Sequence, residues 1–215
     1  QSELRINDGD AGRLFTAFML GYFVTSPAFG YLGDRSSRKW LIAAGIFLWS
    51  LGTVLTGCAT AMYTLLAFRA LVGLGEASYA TISPGWISDT YAPERRNNAL
   101  TIFYVAIPVG AALGNILGGQ IANLWGWRYA FIVAGAPGLL LALSLLPFAE
   151  PRRGQSEGRA DDARFNEKPK WRDVFKLLLL RDYNFTVFGY VAYTFALGAF
   201  AFWGPTFLHR VIKSP

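Results

Sequence analysis

The stretch Phe68-Arg69-Ala70-Leu71-Val72-Gly73-Leu74-Gly75-Glu76-Ala77-Ser78-Tyr79 sets an arginine and a glutamate inside an otherwise apolar run. The run covers residues 61–88, which at about 1.5 Å rise per residue is long enough to cross a hydrocarbon core of about 30 Å. Arg69 and Glu76 are seven positions apart, so a helix presents both from one face, about 10 Å apart along its axis. The stretch therefore predicts a membrane helix with two charges on one side.

These two charges need an explanation, because an ionisable side chain in hydrocarbon costs at least about 2.5 to 3.5 kcal/mol on insertion scales. Such residues usually face a cavity or a partner and mark a pathway. The alternative is a buried structural ion pair that joins helices. A lone carboxylate in partly apolar surroundings can gain and lose a proton near neutral pH. Arg69 and Glu76 are therefore the candidate cavity residues, with Tyr79 one turn further on as possible cavity lining.

The composition points to a membrane as the solvent of this chain. Of 215 residues, 53% are hydrophobic and 16% are charged, and the mean hydropathy is +0.31, whereas soluble domains carry about 25% charged residues. The net charge of +6 lies in connections between apolar runs, which argues against nucleic acid as a partner. The single Cys58 excludes a disulfide framework and cysteine-based metal sites. Because the chain starts without methionine, it is expected to be a piece of a longer protein.

The apolar runs predict six membrane helices, so the fold class is an all-α membrane protein. The predicted spans are residues 14–33, 40–60, 61–88, 99–122, 129–148 and 185–208. Asn7 or Asp8 is the expected N-cap of the first helix. Polar loops are expected at 34–39 and 89–98 and a turn at 123–128, while residues 59–61 leave room only for a tight turn between antiparallel neighbours. Pro137 with Gly138 is the expected bend of the fifth span.

A stripe of small residues runs along the fourth span. Gly110, Gly114 and Gly118 recur every four positions, which clears one helix face for close backbone approach. The favoured interpretation is a packing seam against another helix, and the alternative is direct contact of these glycines with a ligand. Asn115 lies beside the stripe and is a possible cavity-lining residue.

The remaining organisation follows from the polar segment after the fifth span. Residues 1–148 form the expected N-terminal bundle, 149–182 a connection, and 183–215 the first helix of a second bundle. Within the connection, residues 155–170 are expected to be a mobile linker, and about 170–181 an amphipathic helix in the membrane interface. The last span carries aromatic residues that either line a pore or anchor the helix at the interface: Tyr190, Tyr193 and Trp203.

Lysine and arginine are distributed unevenly between alternate connections. Fourteen fall at 34–39, 89–98 and 149–182, and five fall on the opposite side. The positive-inside rule therefore places the loops at 34–39, 89–98 and 149–182 in the cytoplasm.

Catalytic chemistry is not supported by the residue content. The only histidine is His209, beyond the last span, so no nucleophile can be paired with a histidine base. Glu76 and Asp89 are thirteen positions apart on one helix, too far for paired-carboxylate work at one centre. No enzyme, metal or cofactor is expected, and protons are the expected coupling ion.

Two motifs resemble those of the major facilitator superfamily of transporters. Gly30-Tyr31-Leu32-Gly33-Asp34-Arg35-Ser36-Ser37-Arg38-Lys39 resembles its loop between the second and third helices, departing at Ser37, where the family usually has glycine. The stretch from Arg69 to Gly75 resembles its fourth-helix motif, in which the arginine is often linked to proton coupling. The fifth-helix glycine-proline pair typical of many drug antiporters is absent around Gly114 and Gly118, which leaves the direction of antiport open.

A narrower resemblance, to the spinster family, rests on three stretches. They are Phe29-Gly30-Tyr31-Leu32-Gly33-Asp34-Arg35, Leu71-Val72-Gly73-Leu74-Gly75-Glu76-Ala77-Ser78-Tyr79 and Ile102-Phe103-Tyr104-Val105-Ala106-Ile107-Pro108-Val109-Gly110. The resemblance implies alternating-access transport of lysolipids and sphingolipids, including sphingosine-1-phosphate. It makes Arg69 a proton-coupling or headgroup-contacting residue and Glu76 its titratable partner. It also implies a cytoplasmic gate formed by the loop motif: Gly30, Gly33, Asp34, Arg35, Arg38 and Lys39.

The same resemblance implies that the fold is partial. The first span corresponds to the family's second helix, so six of twelve helices are expected here, without the first helix and its acidic coupling residue. The expected partners are the lipid bilayer, an amphiphilic lipid substrate and the remaining helices of the same protein, in a plasma or bacterial inner membrane. Two alternatives stay open: a transporter of small organic anions or drugs on the same fold, and a non-transporting membrane scaffold or receptor.

Overall fold

A computed structural model describes residues 7–158 and 175–213. Within these ranges all regular elements are helices, which confirms the predicted all-α class. They are α1 (Asp8–Arg35), α2 (Arg38–Cys58), α3 (Met62–Thr90), α4 (Pro93–Trp125), α5 (Trp127–Ser144), a short 3-10 helix (Gln155–Glu157) and α6 (Arg181–Lys213). The chain divides into two compact units, Gln1–Lys168 and Pro169–Pro215, and each is described by itself.

Four of the described helices, α2 to α5, are long and apolar enough to cross a membrane. The helices α1 and α6 lie where the first and last spans were predicted but are not among these four. Their membrane crossing stays a prediction.

The connections between helices are shorter than the sequence predicts. Only residues 36 and 37 separate α1 from α2, and only residues 91 and 92 separate α3 from α4. The predicted loops at 34–39 and 89–98 therefore lie at the observed connections but were predicted too long. Charged side chains at helix ends reach water while their backbone stays helical, and Pro93 occupies the first turn of α4, where its missing N–H costs nothing.

Several local predictions hold and others fail at the helix boundaries. Asn7 caps α1 through a reciprocal capping box with Asp10, and α2 and α3 join by the expected tight turn at residues 59–61. The turn at 123–128 was predicted too long, because Gly126 alone joins α4 to α5 with a φ of 96°, a conformation that glycine adopts readily. The helix α5 ends at Ser144, four residues before the predicted end of the span.

The helix α3 lies at the centre of the first unit, packed extensively against α1 and α2, and α2 packs against α5. Two glycines of α3 permit close approach. A Cβ on Gly73 would collide with the Phe18 carbonyl of α1, and a Cβ on Gly75 would lie 2.6 Å from the Gly45 carbonyl oxygen of α2. These contacts fix the axial rotation of α3, and with it the direction of its charged side chains.

The helix α4 is the least covered helix of the first unit. It has no buried residue among those described, and a Cβ on Gly110, Gly114 or Gly118 would meet no atom within 4 Å. The predicted packing seam therefore has no partner in the described part of the chain.

The sequence predicts a mobile linker over residues 155–170. The described start of this segment is instead packed against the first unit. Its 3-10 helix packs against α3, and the Ser156 hydroxyl donates to the Ser88 carbonyl over 2.7 Å. The predicted amphipathic helix at 170–181 lies mostly outside the described residues. Of its described end, residues 175–177 are helical, residues 178 and 179 form a turn, and α6 already begins at Arg181.

Candidate functional site

Arg69 and Glu76 lie on α3, two turns apart on one continuous helix. Arg69 is half-buried, and Glu76 is exposed on the surface of the first unit. No salt bridge joins them, and neither side chain makes a hydrogen bond or ion pair with any described residue. The structural ion pair that the sequence left as an alternative is therefore not formed between these two residues.

The guanidinium of Arg69 has an aromatic contact instead. Its Cζ lies 4.9 Å from the centroid of the Phe131 ring on α5. Such a cation–π contact contributes about 0.5 to 2 kcal/mol, with the larger values in desolvated sites. Sequence reasoning missed Phe131, because no local pattern on α5 shows which helix its ring faces.

Tyr79 packs within an aromatic cluster between three helices. Its ring meets Trp49 of α2 edge-on at 5.3 Å between centroids, and Phe103 of α4 at 5.4 Å. It is half-buried, and its place one turn from Glu76 puts it at the edge of the predicted cavity face. The cluster ties α4 to the centre of the unit.

The other predicted cavity residues lie on α4 and α6. Asn115 is exposed on α4. Tyr190, Tyr193 and Trp203 lie on α6 in the second unit, each at least half exposed. Tyr190 and Tyr193 pair their rings at 6.1 Å.

The loop motif lies at one end of the bundle. We call residues 33–39, 88–96 and 145–158 the polar end. Gly30 and Gly33 pack α1 onto Thr81 and Ile82 of α3, where a Cβ on Gly33 would lie 3.0 Å from Ile82. Ser37 has a φ of −65°, so the position where the family usually has glycine needs no glycine here.

The charged residues of the motif differ in their surroundings. Arg38 forms an ion pair with Asp89 at the end of α3. Lys39 donates to the Leu146 carbonyl over 3.0 Å, and the Arg35 guanidinium lies 4.3 Å from the Tyr31 ring centroid. Asp34 is exposed. The motif thus divides into side chains that contact other residues of the unit and the exposed carboxylate of Asp34, whose charge acts on Arg153.

Two residues that sequence reasoning missed hold the polar end together. Glu150 accepts from the Ser37 hydroxyl over 2.5 Å and from the Arg38 N–H over 2.8 Å, so it caps the start of α2. Arg153 donates to the Gly33 carbonyl over 2.7 Å. Burial, and then the charge of Arg38, lowers the pKa of Arg153, while nearby carboxylates oppose this shift.

The opposite end of α2 is also capped, by Arg128 at the start of α5. Its Nη1 donates to the Gly57 carbonyl over 3.0 Å and to the Ala59 carbonyl over 2.6 Å. An acidic side chain at the start of a helix and a basic one at its end both complement the helix dipole. The first turn of α5 and the segment that follows α5 therefore hold the two ends of α2.

The described residues contain no cluster of histidine, cysteine, aspartate and glutamate that could hold a metal ion. The chemistry available at α3 is that of a cation and a titratable carboxylate. Such a pair can bind an anion and exchange a proton.

Comparison with known proteins identifies relatives of the chain. The family model of the Major Facilitator Superfamily matches residues 1–214. The chain is 40% identical to protein spinster of Drosophila melanogaster, over 99% of this chain and 35% of that protein. It is 39% identical to the sphingosine-1-phosphate transporter SPNS2 of Danio rerio, over 98% of this chain and 42% of that protein.

A solved structure is also similar. It is a bacterial homolog of the human lysosomal transporter spinster in an inward-facing, occupied conformation, with a TM-score of 0.57 and 31% identity. The match covers 66% of this chain and 37% of the other. The chain spans about two fifths of the length of the curated relatives it matches.

Proposed function

Because this chain belongs to the major facilitator superfamily, and spinster proteins are among its relatives, we propose that it is part of a lipid transporter. The whole protein moves lysolipid-like or sphingolipid-like amphiphiles across a membrane by alternating access. It does so as a proton-coupled or facilitative transporter, and no enzymatic step is involved.

The observation that carries this proposal is the state of Arg69 and Glu76. Both lie on a helix long and apolar enough to cross a membrane, and neither pairs with a described residue. An ionisable group in a membrane helix is costly without a charged partner, and such groups mark substrate or ion pathways. A site that binds a charged ligand in the membrane accounts for that cost.

The two residues have different roles in this proposal. Arg69 binds the anionic headgroup, because a planar guanidinium matches phosphate and carboxylate oxygens in a two-point contact. Glu76 exchanges a proton with water, since its side chain is exposed on α3. Protonation of Glu76 removes a negative charge from the site and so strengthens anion binding at Arg69.

The polar end supplies the proposed gate. Asp34 is its exposed carboxylate, while Arg38 and Lys39 are held within the unit by Asp89 and the Leu146 carbonyl. We place this end in the cytoplasm, as the distribution of lysine and arginine predicts. Asp34 and Arg35 then belong to the cytoplasmic gate.

Ligand-dependent stabilisation of the whole protein in detergent tests the proposal. A lysolipid with a phosphate headgroup is expected to raise the melting temperature, and an uncharged amphiphile with the same chain is expected to raise it less. A protein that responds to small organic anions and ignores lysolipids would be a transporter of the alternative class. A protein that responds to neither class would support a scaffold or receptor role and contradict the proposal.

A further inference from the structure

Four side chains form a row in the first unit, with two aromatic rings between two arginines. The Arg69 guanidinium lies 4.9 Å from the Phe131 ring centroid. Phe131 meets Trp127 edge-on, 6.0 Å between centroids at an interplanar angle of 82°. Arg128 lies 4.7 Å from the Trp127 ring centroid. The row connects Arg69 on α3 to the first turn of α5.

The far end of this row is anchored to the backbone of α2. Arg128 donates to the Gly57 and Ala59 carbonyls, and a Cβ on Gly57 would lie 2.6 Å from the Arg128 carbonyl oxygen. Trp127 and Phe131 are one turn apart on α5, so their edge-on contact is set by the helix. The ring of Phe131 is therefore held in place independently of Arg69.

The contact with the Phe131 ring leaves Arg69 without an ion-pair partner among the described residues. The five N–H groups of arginine lie in the guanidinium plane, and the attraction to the ring comes from the positive charge over the ring face. No described residue accepts a hydrogen bond from Arg69. The donors are available for a ligand that approaches in the plane.

We propose that Phe131 is the positioning residue of the headgroup site. Its ring fixes the orientation of Arg69 so that the guanidinium edge meets a ligand phosphate or carboxylate in a two-point contact. This inference rests on the proposed function for the identity of the ligand. The two-point contact of Arg69 with an anion does not require a lipid substrate, because a free inorganic phosphate offers the same oxygens as a lipid headgroup.

When Phe131 fixes the orientation of the Arg69 guanidinium before the ligand binds, the side chain loses less rotational freedom on binding, and the affinity is higher. Loss of this pre-ordering of one long side chain corresponds to about a three- to tenfold weaker binding of the anion. The effect is specific to anions, since an uncharged amphiphile makes no two-point contact with Arg69.

The experiment compares ring removal with ring retention in the whole purified protein. Phe131→Leu removes the ring and keeps an apolar side chain, and Phe131→Tyr keeps the ring. Phe47→Leu on α2 is the matched control, because Phe47 is an exposed phenylalanine without an aromatic or cationic contact among the described residues. Binding is measured for a phosphate-headgroup lysolipid, for a neutral amphiphile with the same chain, and for inorganic phosphate.

The expected result is that Phe131→Leu weakens binding of the phosphate lysolipid by about three- to tenfold, while binding of the neutral amphiphile stays unchanged. Phe131→Tyr and Phe47→Leu keep the affinity of the original protein. In an Arg69→Gln background, Phe131→Leu has no further effect on phosphate binding, because the residue acts through Arg69. The melting temperature of each variant checks that the fold is retained.

Three outcomes overturn the inference. One is an equal loss with Phe131→Leu and Phe131→Tyr, and another is an undiminished effect of Phe131→Leu in the Arg69→Gln background. The third is an unmodified protein that binds neither phosphate lysolipid nor inorganic phosphate, which also contradicts the proposed function. If inorganic phosphate binds with the expected dependence on Phe131 and lysolipids do not, this inference stands and the proposed lipid substrate fails.

Discussion

The polar end and the middle of α3 both carry charged residues, but they treat their charges in opposite ways. At the polar end, Arg38 pairs with Asp89, Arg96 pairs with Glu157, and Glu150 accepts two hydrogen bonds from the start of α2. In the middle of α3, Arg69 and Glu76 have no such partner among the described residues. The charges of the polar end therefore stabilise the first unit, whereas Arg69 and Glu76 have no ion-pair partner within it.

The physical reason lies in desolvation. A charge at a helix end stays close to water, so an ion pair there costs little and contributes about 0 to 1 kcal/mol when exposed. A charge in the middle of an apolar helix loses its hydration, and only a partner or a ligand compensates that loss. Unpaired charges in the middle of α3 are therefore the expected sign of function, and paired charges at the polar end are the expected sign of structure.

The largest expected effect is that of Arg69→Gln on ligand binding. Hydrogen bonds to charged groups contribute about 1.5 to 3 kcal/mol, so binding of a phosphate-headgroup lysolipid should weaken by about 10- to 100-fold. Arg69→Lys keeps the charge and loses the fork geometry, so its loss should be intermediate. Binding of both variants is measured by calorimetry on the whole protein. If Arg69→Gln and the unmodified protein bound the phosphate-headgroup lysolipid with equal affinity, Arg69 would not be part of the binding site.

The second expected effect concerns the glycine that sets the position of α3. Gly73→Ala puts a methyl group against the Phe18 carbonyl of α1, and overpacking of this kind costs about 1 to 3 kcal/mol. Gly12→Ala on α1 is the matched control, since a Cβ there meets nothing within 4 Å. The melting temperature should fall for Gly73→Ala and stay the same or rise for Gly12→Ala. Similar melting temperatures would show that the close approach of α1 and α3 is not needed.

A smaller effect is expected from the cap of α2. Glu150→Ala removes the acceptor of the Ser37 hydroxyl and the Arg38 N–H, and loss of a helix cap costs about 1 kcal/mol. Glu94→Ala is the control, because Glu94 lies in the first turn of α4 and its side chain has no hydrogen-bond or ion-pair partner among the described residues. Thermal unfolding of both variants should show a clear loss only for Glu150→Ala, with ligand binding retained. If Glu150→Ala lost transport without losing stability, Glu150 would have a role in transport and not only in capping α2.

The smallest perturbation tests which side of the membrane the polar end faces. Cys58 is the only cysteine of the chain and is exposed near the end of α2 opposite the polar end. A membrane-impermeant thiol reagent should label Cys58 from outside the cell. Ser36→Cys in a Cys58→Ser background should be labelled only in inverted vesicles. The reversed pattern would overturn the orientation predicted from lysine and arginine.

The sequence predicts those parts of this structure that depend on neighbours along the chain. The six long helices follow from runs of apolar residues, the cap at Asn7 from the residue type, and the tight turn at residues 59–61 from the lack of chain between two runs. The position of Arg69 and Glu76 on one helix follows from their spacing. The loop lengths were overestimated, because polarity at residues 34–39 and 89–98 marks helix ends near water and not the loss of helical backbone.

The contacts that the sequence cannot predict join residues far apart in the chain. Glu150 caps a helix that begins 112 positions before it, and Phe131 on α5 contacts Arg69 on α3. No neighbouring sequence pattern indicates either contact, since a glutamate after a helix and a phenylalanine within a helix are both common. Such partners are fixed only when α2, α3 and α5 pack together, which a single sequence does not specify.

The most direct test of the central claim, that the unpaired charges of α3 carry transport, uses Glu76→Gln. Uptake of a phosphate-headgroup lysolipid is measured in proteoliposomes containing the whole protein, across the neutral pH range. We expect Glu76→Gln to retain the fold and to lose the pH dependence of uptake, while Glu94→Gln keeps it. Uptake by Glu76→Gln with the rate and pH dependence of the unmodified protein would show that Glu76 does not couple transport to protons.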